Sequence, residues 1–427
     1  MENTNNIERL NQKVKRLHTL IEVNEVISSS LEIDTILENV MTISKKVMNA
    51  DASSLMRIDE KTNELIYQVA QGSVGEKLKK EVRLKMGQGI AGTVAEEGKP
   101  LLLEDAYTHP KFYRGNDEAT GYRTRSMITV PLKVGNRVTG VSQVINRLDG
   151  KPFDQDDLEL FISLSSMAAI ALENAKMHQQ ILDKQRLVKD MEFARTVQES
   201  FLPQNAPDVK SYRFSAHYTP ALEVGGDLYD FIHLDQNRTG IVIGDVSGKG
   251  VPAALYMAKL GSDMRTLAFT ERVPAEALMK LNDLLAGRSR RGMFATLLYI
   301  ELDATTGNMT LSNAGHLPPI IKKADGSLVK LATAGGAPLG MLPGMKLFQE
   351  EAKLEPGDTV ILYTDGIIEA MNTKEELYGF DRFEELIRKN GSGPGVLKDA
   401  IIGDVNRFTG LSPQHDDMTL VCFGAAK

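Results

Sequence analysis

Between Asp156 and Phe201 the chain contains neither proline nor glycine, and this uninterrupted run constrains everything around it. Leu172, Ala175, Ile181, Leu182, Val188, Met191 and Val197 keep roughly helical spacing through it, which predicts one long helix. Polar Gln185 and Lys189 interrupt the apolar stripe, so the run is an imperfect coiled-coil seam rather than a strict heptad zipper. It suits either a connector between two copies of the chain or a single amphipathic helix packed on its own domain. Pro203 and Pro207 stop it. A helix here divides the 427 residues into two halves, in keeping with about 100 to 200 residues per domain.

The half before the helix reads as an α+β module. Leu10, Val14, Leu17 and Ile21 recur at three- and four-residue steps, predicting an N-terminal helix, with residues 1–19 standing ahead of the first domain. A second helical run carries Ile36, Leu37, Val40, Met41, Ile43 and Val47. From Ser53 the period shortens. Ser54 to Asp59 and Leu65 to Ala70 flank a turn-rich stretch, and Met127 to Val134 and Arg137 to Asn146 flank Gly135-Asn136, as two hairpins would.

Beyond Tyr212, strands interleave with helices. Ile241–Gly244 and Val360–Tyr363 are continuous apolar runs of the kind buried strands show, and Phe294 to Leu302, Met309 to Ser312, Pro319 to Leu331 and Met418 to Phe423 are further strand candidates. Helices are expected over Pro252 to Phe269, with proline at the favoured first position, over Pro274 to Ala286 and over Phe380 to Lys389.

The chemistry lies at the strand ends. Asp245 follows Ile241–Gly244, Asp365 follows the Val360 strand, Asp227 and Asp230 flank the start of Leu228-Tyr229, and Asp416-Asp417 precede Met418. Any one of these aspartates is more often a turn residue or helix cap. Together they place several carboxylates at one sheet rim, where they repel one another unless cations neutralise them. Hard oxygen donors without clustered His or Cys select Mg²⁺ or Mn²⁺, and two such ions a few Å apart suit phosphoester hydrolysis.

Composition excludes other classes. A net charge of −7 gives no general attraction to nucleic acid or an anionic membrane surface. A single cysteine, Cys422, allows no intrachain disulfide and no cysteine zinc site; it reads as a small core residue. No secretory segment opens the chain and no run approaches the ~18 apolar residues of a membrane span, so a cytoplasmic location is expected.

From about Met191 to Phe423 the residues resemble the metal-dependent PPM serine/threonine phosphatases, in their bacterial SpoIIE-type branch. The resemblance is carried by the run from Glu192 through Val197-Gln-Glu-Ser-Phe-Leu-Pro203, by Val224-Gly-Gly-Asp-Leu-Tyr-Asp-Phe231 and by Gly244-Asp-Val-Ser-Gly-Lys-Gly250. Asn313-Ala-Gly-His-Leu-Pro-Pro319, Tyr363-Thr-Asp-Gly-Ile-Ile-Glu369 and His415-Asp-Asp-Met-Thr419 complete it. It implies a C-terminal αββα sandwich over residues 203–427, joined by a helical linker, 177–202, to what precedes it. It makes Asp245 the carboxylate that bridges two Mn²⁺ or Mg²⁺ ions, with the Val246 carbonyl as a further ligand. Asp365 and Asp416 would hold the first ion from the other side, and Asp227 would serve the second directly or through water. Asp245 and Asp365 carry the catalytic role. Asp417 follows the family's last ligand and ranks below Asp416, and Asp230 is a supporting residue behind the ligands. Two departures from the wider type 2C enzymes stand out. Ser247 replaces their histidine two residues after the bridging aspartate, and Pro220–Val224 holds no phosphate-binding arginine. The leaving-group acid and the phosphate anchor therefore stay unassigned. His316 fits a packed turn better than either task, while His415 and Lys249 stay open, Lys249 to meet substrate phosphate or to be solvated.

Residues 20–176 resemble a GAF domain, an antiparallel sheet flanked by helices that binds small molecules and dimerises. The residues are Gly87-Gln-Gly-Ile-Ala-Gly-Thr-Val94 with the segment to Pro100, Leu101 to Asp105, Ser126 to Leu132, Gly140-Val141, and Phe153 to Leu158. Asn146-Arg147, Phe153 and Asp157 match in part the pattern of cyclic-nucleotide-binding members, so a cyclic nucleotide is one candidate ligand. The resemblances together imply a GAF-regulated phosphatase, homodimeric through GAF and linker helices, acting on a phosphorylated anti-anti-sigma protein of the STAS type, with no nucleic acid or membrane partner. Two rivals are a catalytically silent docking module and a constitutive phosphatase whose GAF domain only dimerises.

Overall fold

The change of period near Ser53 is a change from helix to sheet. Helix α1 (Ile33–Val47) buries Ile36, Leu37, Val40 and Met41 on one stripe and leads into β1 (Ala50–Asp59). The computed structural model describes residues 32–72, 83–286, 292–331, 335–391 and 393–425, together with Val14 and Ile21. The N-terminal helix expected over residues 1–19 otherwise lies outside the described residues. The chain falls into two units, Met1–Arg186 and Leu187–Lys427.

In the first unit β1 pairs with β2 (Glu64–Gln71) around the expected turn, and β5 (Met127–Val134) pairs with β6 (Arg137–Arg147) around Gly135-Asn136. With β3 (Arg83–Lys85) and β4 (Leu101–Leu103) they form one antiparallel sheet ordered β3-β2-β1-β6-β5-β4. Two short helices join it, α2 (Gly89–Glu97) and α3 (Gly115–Thr120), neither of them apparent from periodicity. The long helix, α4, runs from Gln155 to Glu199. Its beginning packs Leu164, Ala168, Ala169, Leu172 and Ala175 with α1 and with Leu55, Val69 and Leu132 of the sheet. This helix contains an 18-residue window of mean hydropathy 1.3, apolar enough by composition to cross a membrane. That corrects the expectation that no run comes near such a span. Alanines and other apolar residues that cover the sheet supply the hydropathy, and a core helix of this kind passes the same test.

The second unit is a sandwich of two five-stranded antiparallel sheets. One is ordered β14-β11-β10-β9-β8 and the other β13-β12-β15-β16-β7. The first sheet comprises β8 (Leu228–His233), β9 (Arg238–Val246), β10 (Ala295–Asp303), β11 (Asn308–Ala314) and β14 (Gln349–Lys353). The second comprises β7 (Tyr212–Thr219), β12 (Ile320–Lys322), β13 (Leu328–Lys330), β15 (Thr359–Tyr363) and β16 (Met418–Ala425). The expected single strand from Pro319 to Leu331 is thus two strands, because Asp325-Gly326 turns the chain and Ile320 pairs with Lys330.

Strand alternation assigns the layers. Ile241, Ile243, Leu298, Ile300, Val360, Leu362, Val421 and Phe423 fill the space between the sheets. The outer face of the first sheet, with Leu228, Ile232, Val242 and Leu297, is covered by α5 (Val251–Thr270) and α6 (Pro274–Ala286). That of the second, with Ile361, Tyr363, Leu420 and Cys422, lies under α8 (Phe380–Lys389) and α9 (Pro394–Thr409), which follow the one-turn helix α7 (Asp365–Ile368). The unit has the αββα order.

Candidate functional site

Asp245 has the same strand parity as Ile241 and Ile243, so its carboxyl points between the sheets at their rim. Its partner across the ladder is Thr296. β15 and β16 are hydrogen-bonded neighbours in the opposite sheet, and the end of one and the start of the other bring Asp365 and Asp416 to the same rim. Asp227, immediately before β8, completes the group.

Asp227 is buried, and its Oδ2 accepts hydrogen bonds from the Thr364 hydroxyl at 2.7 Å and the Thr419 hydroxyl at 2.6 Å. Burial, followed by the charge of Asp245, pushes its carboxyl well above the usual range, against the pull of those hydroxyls. Asp227 is hydrogen-bonded to Asp245, whose own carboxyl is pushed up to about 7 by burial and by the charges of Asp365, Asp416 and Asp417. Burial and then Asp416 raise Asp365, opposed by the Gly366 N–H and by Lys249. Glu369, one turn along, is raised by burial and then by Asp365 and Asp416, so a further carboxyl borders the group. Thr364, Thr419 and Glu369 stand inside the sequence motifs, but only the fold shows what their side chains meet.

The remaining expected residues take different places. Asp416 pairs with the Lys249 ammonium at 2.9 Å, and the same ammonium donates to the His415 carbonyl, so Lys249 is neither merely solvated nor free. Asp417 has both oxygens engaged by the backbone of the loop before β8: Oδ1 accepts from the Ala221 N–H at 2.7 Å and Oδ2 from the Gly226 N–H at 2.6 Å. Asp230 is not brought to the group. It shares a strand face with Leu228 and Ile232, under α5, and there forms a two-toothed ion pair with Arg265. His316 is held in a turn by the Asn313 carboxamide, which accepts from its N–H at 2.7 Å and donates to its carbonyl at 2.9 Å. Burial pushes its imidazole down to about 4, so it stays neutral, with Nδ1 2.9 Å from the Thr296 hydroxyl. Buried Cys422 is pushed up to about 12 and stays a thiol.

Two glycines are required by close approach. A Cβ on Gly366 would stand 2.1 Å from the Asp417 carbonyl oxygen, and one on Gly226 would stand 2.9 Å from that of Val246. The Val246 carbonyl therefore lies against the Asp227 loop. A groove of about 210 Å³ opens beside Asp416, between Gly366 and Met371 on one wall and Thr409 and His415 on the other.

Among the described residues, no three His, Cys, Asp or Glu groups already close into a metal cage. Mutual repulsion keeps carboxylates from drawing together without a cation. The donor chemistry nonetheless fits Mn²⁺ or Mg²⁺: oxygens only, with Asp227 buried, Asp245, Asp365 and Asp416 half-buried and a buried backbone carbonyl, against one partly exposed lysine.

The first unit holds a separate cavity of about 120 Å³, walled by Tyr67, Phe112, Tyr122, Asp117 and Gln143, with the start of α2 at Gly89. Asp117 accepts from the Thr124 N–H and hydroxyl at 2.7 and 2.9 Å, and the Tyr122 hydroxyl donates to Asp51 at 2.7 Å. The partial cyclic-nucleotide pattern does not line this cavity. Arg147 pairs with Asp157 at 2.8 Å and with Asp149, Phe153 is buried, and the Asn146 carboxamide binds the backbone of Arg123 and Arg125. These residues latch the β6–α4 connection.

A family model described as Stage II sporulation protein E (SpoIIE) matches residues 235–425, and a GAF domain model matches residues 32–172. Phosphoserine phosphatase RsbU of Bacillus subtilis is 31% identical over 240 residues, which cover 56% of this chain and 70% of RsbU. The chain belongs to the SpoIIE-type protein phosphatases. The SpoIIE match contains Asp245, Val246, Asp365, Asp416 and Asp417 and begins after Asp227 and Asp230. Protein IcfG of Synechocystis sp. is 30% identical over 260 residues; these are 54% of this chain but only 41% of IcfG, so this chain matches less than half of that relative. The SiaA-PP2C domain of Pseudomonas aeruginosa shares the fold, with a TM-score of 0.50 at 21% identity over 57% of this chain and 98% of that one. Phosphatases of the SpoIIE type and their PPM relatives generally depend on Mn²⁺ or Mg²⁺.

The raised Asp245 pKa gives the metal-free protein a defined pH response. A folded value near 7 against a lower unfolded one stabilises the fold at acid pH, and this contribution is lost as pH rises through 7. With chelator present, we expect the Tm of the wild type to fall relative to that of Asp245→Asn between about pH 5 and pH 8, and MnCl₂ to reverse the loss. Parallel Tm profiles for the two proteins would contradict the assignment.

Proposed function

We propose that this chain is a phosphoprotein phosphatase dependent on two Mn²⁺ or Mg²⁺ ions and regulated by its GAF domain. The observation that carries the reading is the convergence of Asp227, Asp245, Asp365 and Asp416 on one rim, with Asp245 raised to about 7. Asp245, the Val246 carbonyl, Asp365 and Asp416 would hold one ion, and Asp245 with Asp227 the other. When bound, the ions supply an activated water and neutralise the phosphoryl charge for hydrolysis of a phosphoserine or phosphothreonine ester. Thr364 and Thr419 fix the Asp227 carboxyl, Asp417 fixes its loop, and the groove beside Asp416 receives the substrate segment. RsbU's printed name as a phosphoserine phosphatase supports the reaction class, and the family resemblance favours an anti-anti-sigma protein of the STAS type in the cytoplasm as substrate.

The test is Mn²⁺-dependent hydrolysis of para-nitrophenyl phosphate by the full chain and by residues 187–427. We expect chelator to abolish it and Asp365→Asn to lower it about 100-fold or more. A rate difference between the two proteins gives the sign of regulation, and equal rates would leave the GAF domain a dimer clamp. Silence in both with no Mn²⁺ binding would replace the reading with a docking module.

The aromatic walls of the 120 Å³ cavity suit a flat ring, and a cyclic nucleotide entering by its purine, with the rest of the molecule outside the cavity, is the candidate regulating ligand. Calorimetry with cyclic AMP and cyclic GMP should show binding to one of them, and no heat with either removes this ligand class. A homodimer is supported by the exposed apolar residues along α4, among them Ile170, Met177, Ile181, Val188 and Phe193. Sedimentation should find a dimer that Ile181→Glu with Val188→Glu converts to monomer; an unchanged mass would exclude this seam.

A further inference from the structure

Gln198, in the last turn of α4, is 5% exposed although Phe193 and Val197 beside it are 72% and 42% exposed. Its carboxamide is used in both directions on a single residue. The Nε2 group donates to the Gly225 carbonyl at 2.6 Å, and Oε1 accepts from the Gly225 N–H at 3.1 Å. Gly225 is closely packed and leaves no space for a side chain: a Cβ there would stand 2.4 Å from the Tyr218 hydroxyl and 2.5 Å from the Asp417 carboxylate. Two residues on is Asp227. Among the described residues, the backbone of the loop from Ala221 to Asp227 is held by two side chains, Asp417 from just before β16 and Gln198 from α4, while Thr364 and Thr419 hold the Asp227 carboxyl. Of the two, only Gln198 lies on the helix that begins in the other unit.

We propose that Gln198 is the positioning residue through which the end of α4 sets the place of Asp227, and so the affinity of the site for its divalent ions. The proposal rests on the phosphatase reading and adds to it the contact that would carry regulation. Glutamine suits this task because one planar group presents a donor and an acceptor side by side; glutamate lacks the donor and methionine lacks both. A shift or rotation of the helix end that breaks the pairing leaves a buried N–H and a buried carbonyl unpaired, and the loop must move to satisfy them. Asp227 moves with it.

The test uses the full chain with Gln198→Met, of similar length, and Gln198→Glu, which keeps the acceptor. Mn²⁺ affinity is read by calorimetry and the backbone by hydrogen exchange. In Gln198→Met we expect Mn²⁺ to bind about tenfold more weakly and exchange to quicken at residues 221–227 while β9, β15 and β16 stay protected, with Gln198→Glu between it and the wild type. Wild-type affinity and wild-type loop exchange in Gln198→Met overturn the proposal. Faster exchange throughout the second unit with a matching fall in Tm also overturns it, since Gln198 would then be a general packing residue. If the wild type binds no Mn²⁺, the phosphatase reading fails separately, and the exchange pattern alone decides whether Gln198 anchors the loop.

Discussion

Negative charge gathered between two β-sheets is the constraint around which the second unit is arranged. An ionised carboxylate taken out of water costs several kcal/mol unless it is paired, and here Asp227, Asp245 and Asp365 are brought together with Asp416 and Glu369 nearby. Without cations the group relieves part of that cost by holding protons more tightly, which is why burial and the neighbouring charge raise Asp227 well above the usual carboxylate range and Asp245 to about 7. The frame must resist the rest. Asp245 is the last residue but one of β9, which is paired on both sides by β8 and β10, and Asp365 and Asp416 flank β15 and β16, each also paired on both sides. Strands held along both edges keep their ends in place, so repulsion limits how closely the carboxyls approach without opening the rim.

Neutral groups complete the arrangement at close quarters. Thr364 and Thr419 lie on the inner faces of β15 and β16 by the same alternation that buries Leu362 and Val421, and their hydroxyls meet on one oxygen of Asp227. Asp417 turns its oxygens to backbone N–H groups, while its charge still raises Asp245 and Asp227. The adjacent aspartates therefore divide the work: Asp416 faces Lys249 and the groove, and Asp417 ties the loop of one sheet to the first strand residues of the other.

What could be read in advance follows from whether the signal is local. The long helix was legible because forty-odd residues without proline or glycine leave few alternatives, and β9 and β15 because a fully buried strand is a continuous apolar run. The edge strands β7 and β14 mix polar and apolar residues, since one side of each ladder is open, and nothing local separates them from loop. The helix α9 is diluted by Gly395 and Gly403, although Pro394 at its first turn was an available sign. The aspartates stood out because each sits beside glycine at a strand end. Thr364, Thr419 and Gln198 did not, because their partners lie 137, 192 and 27 residues away in the chain. The place of Asp230 was readable. Three residues from Asp227 and in phase with Leu228 and Ile232, it belongs to the helix-facing side of β8.

The helix α4 takes part in two cores. Leu164, Leu172 and Ala175 are buried with the sheet of the first unit, and Gln198 is buried against the Asp227 loop of the second. From Leu172 to Gln198 the helix advances about 39 Å at 1.5 Å per residue. Sharp kinks arise at proline, at glycine pairs, at bulges or where a polar group enters the ladder, and the absence of proline and glycine from this stretch removes the commonest hinges. Coupling between two sites needs an element with two arrangements that both sites can bias, and the double hydrogen bond at Gly225 is formed or broken as a unit because one carboxamide supplies both halves. The position of a single glutamine can therefore convert a continuous motion of the helix into a discrete change at the carboxylate rim.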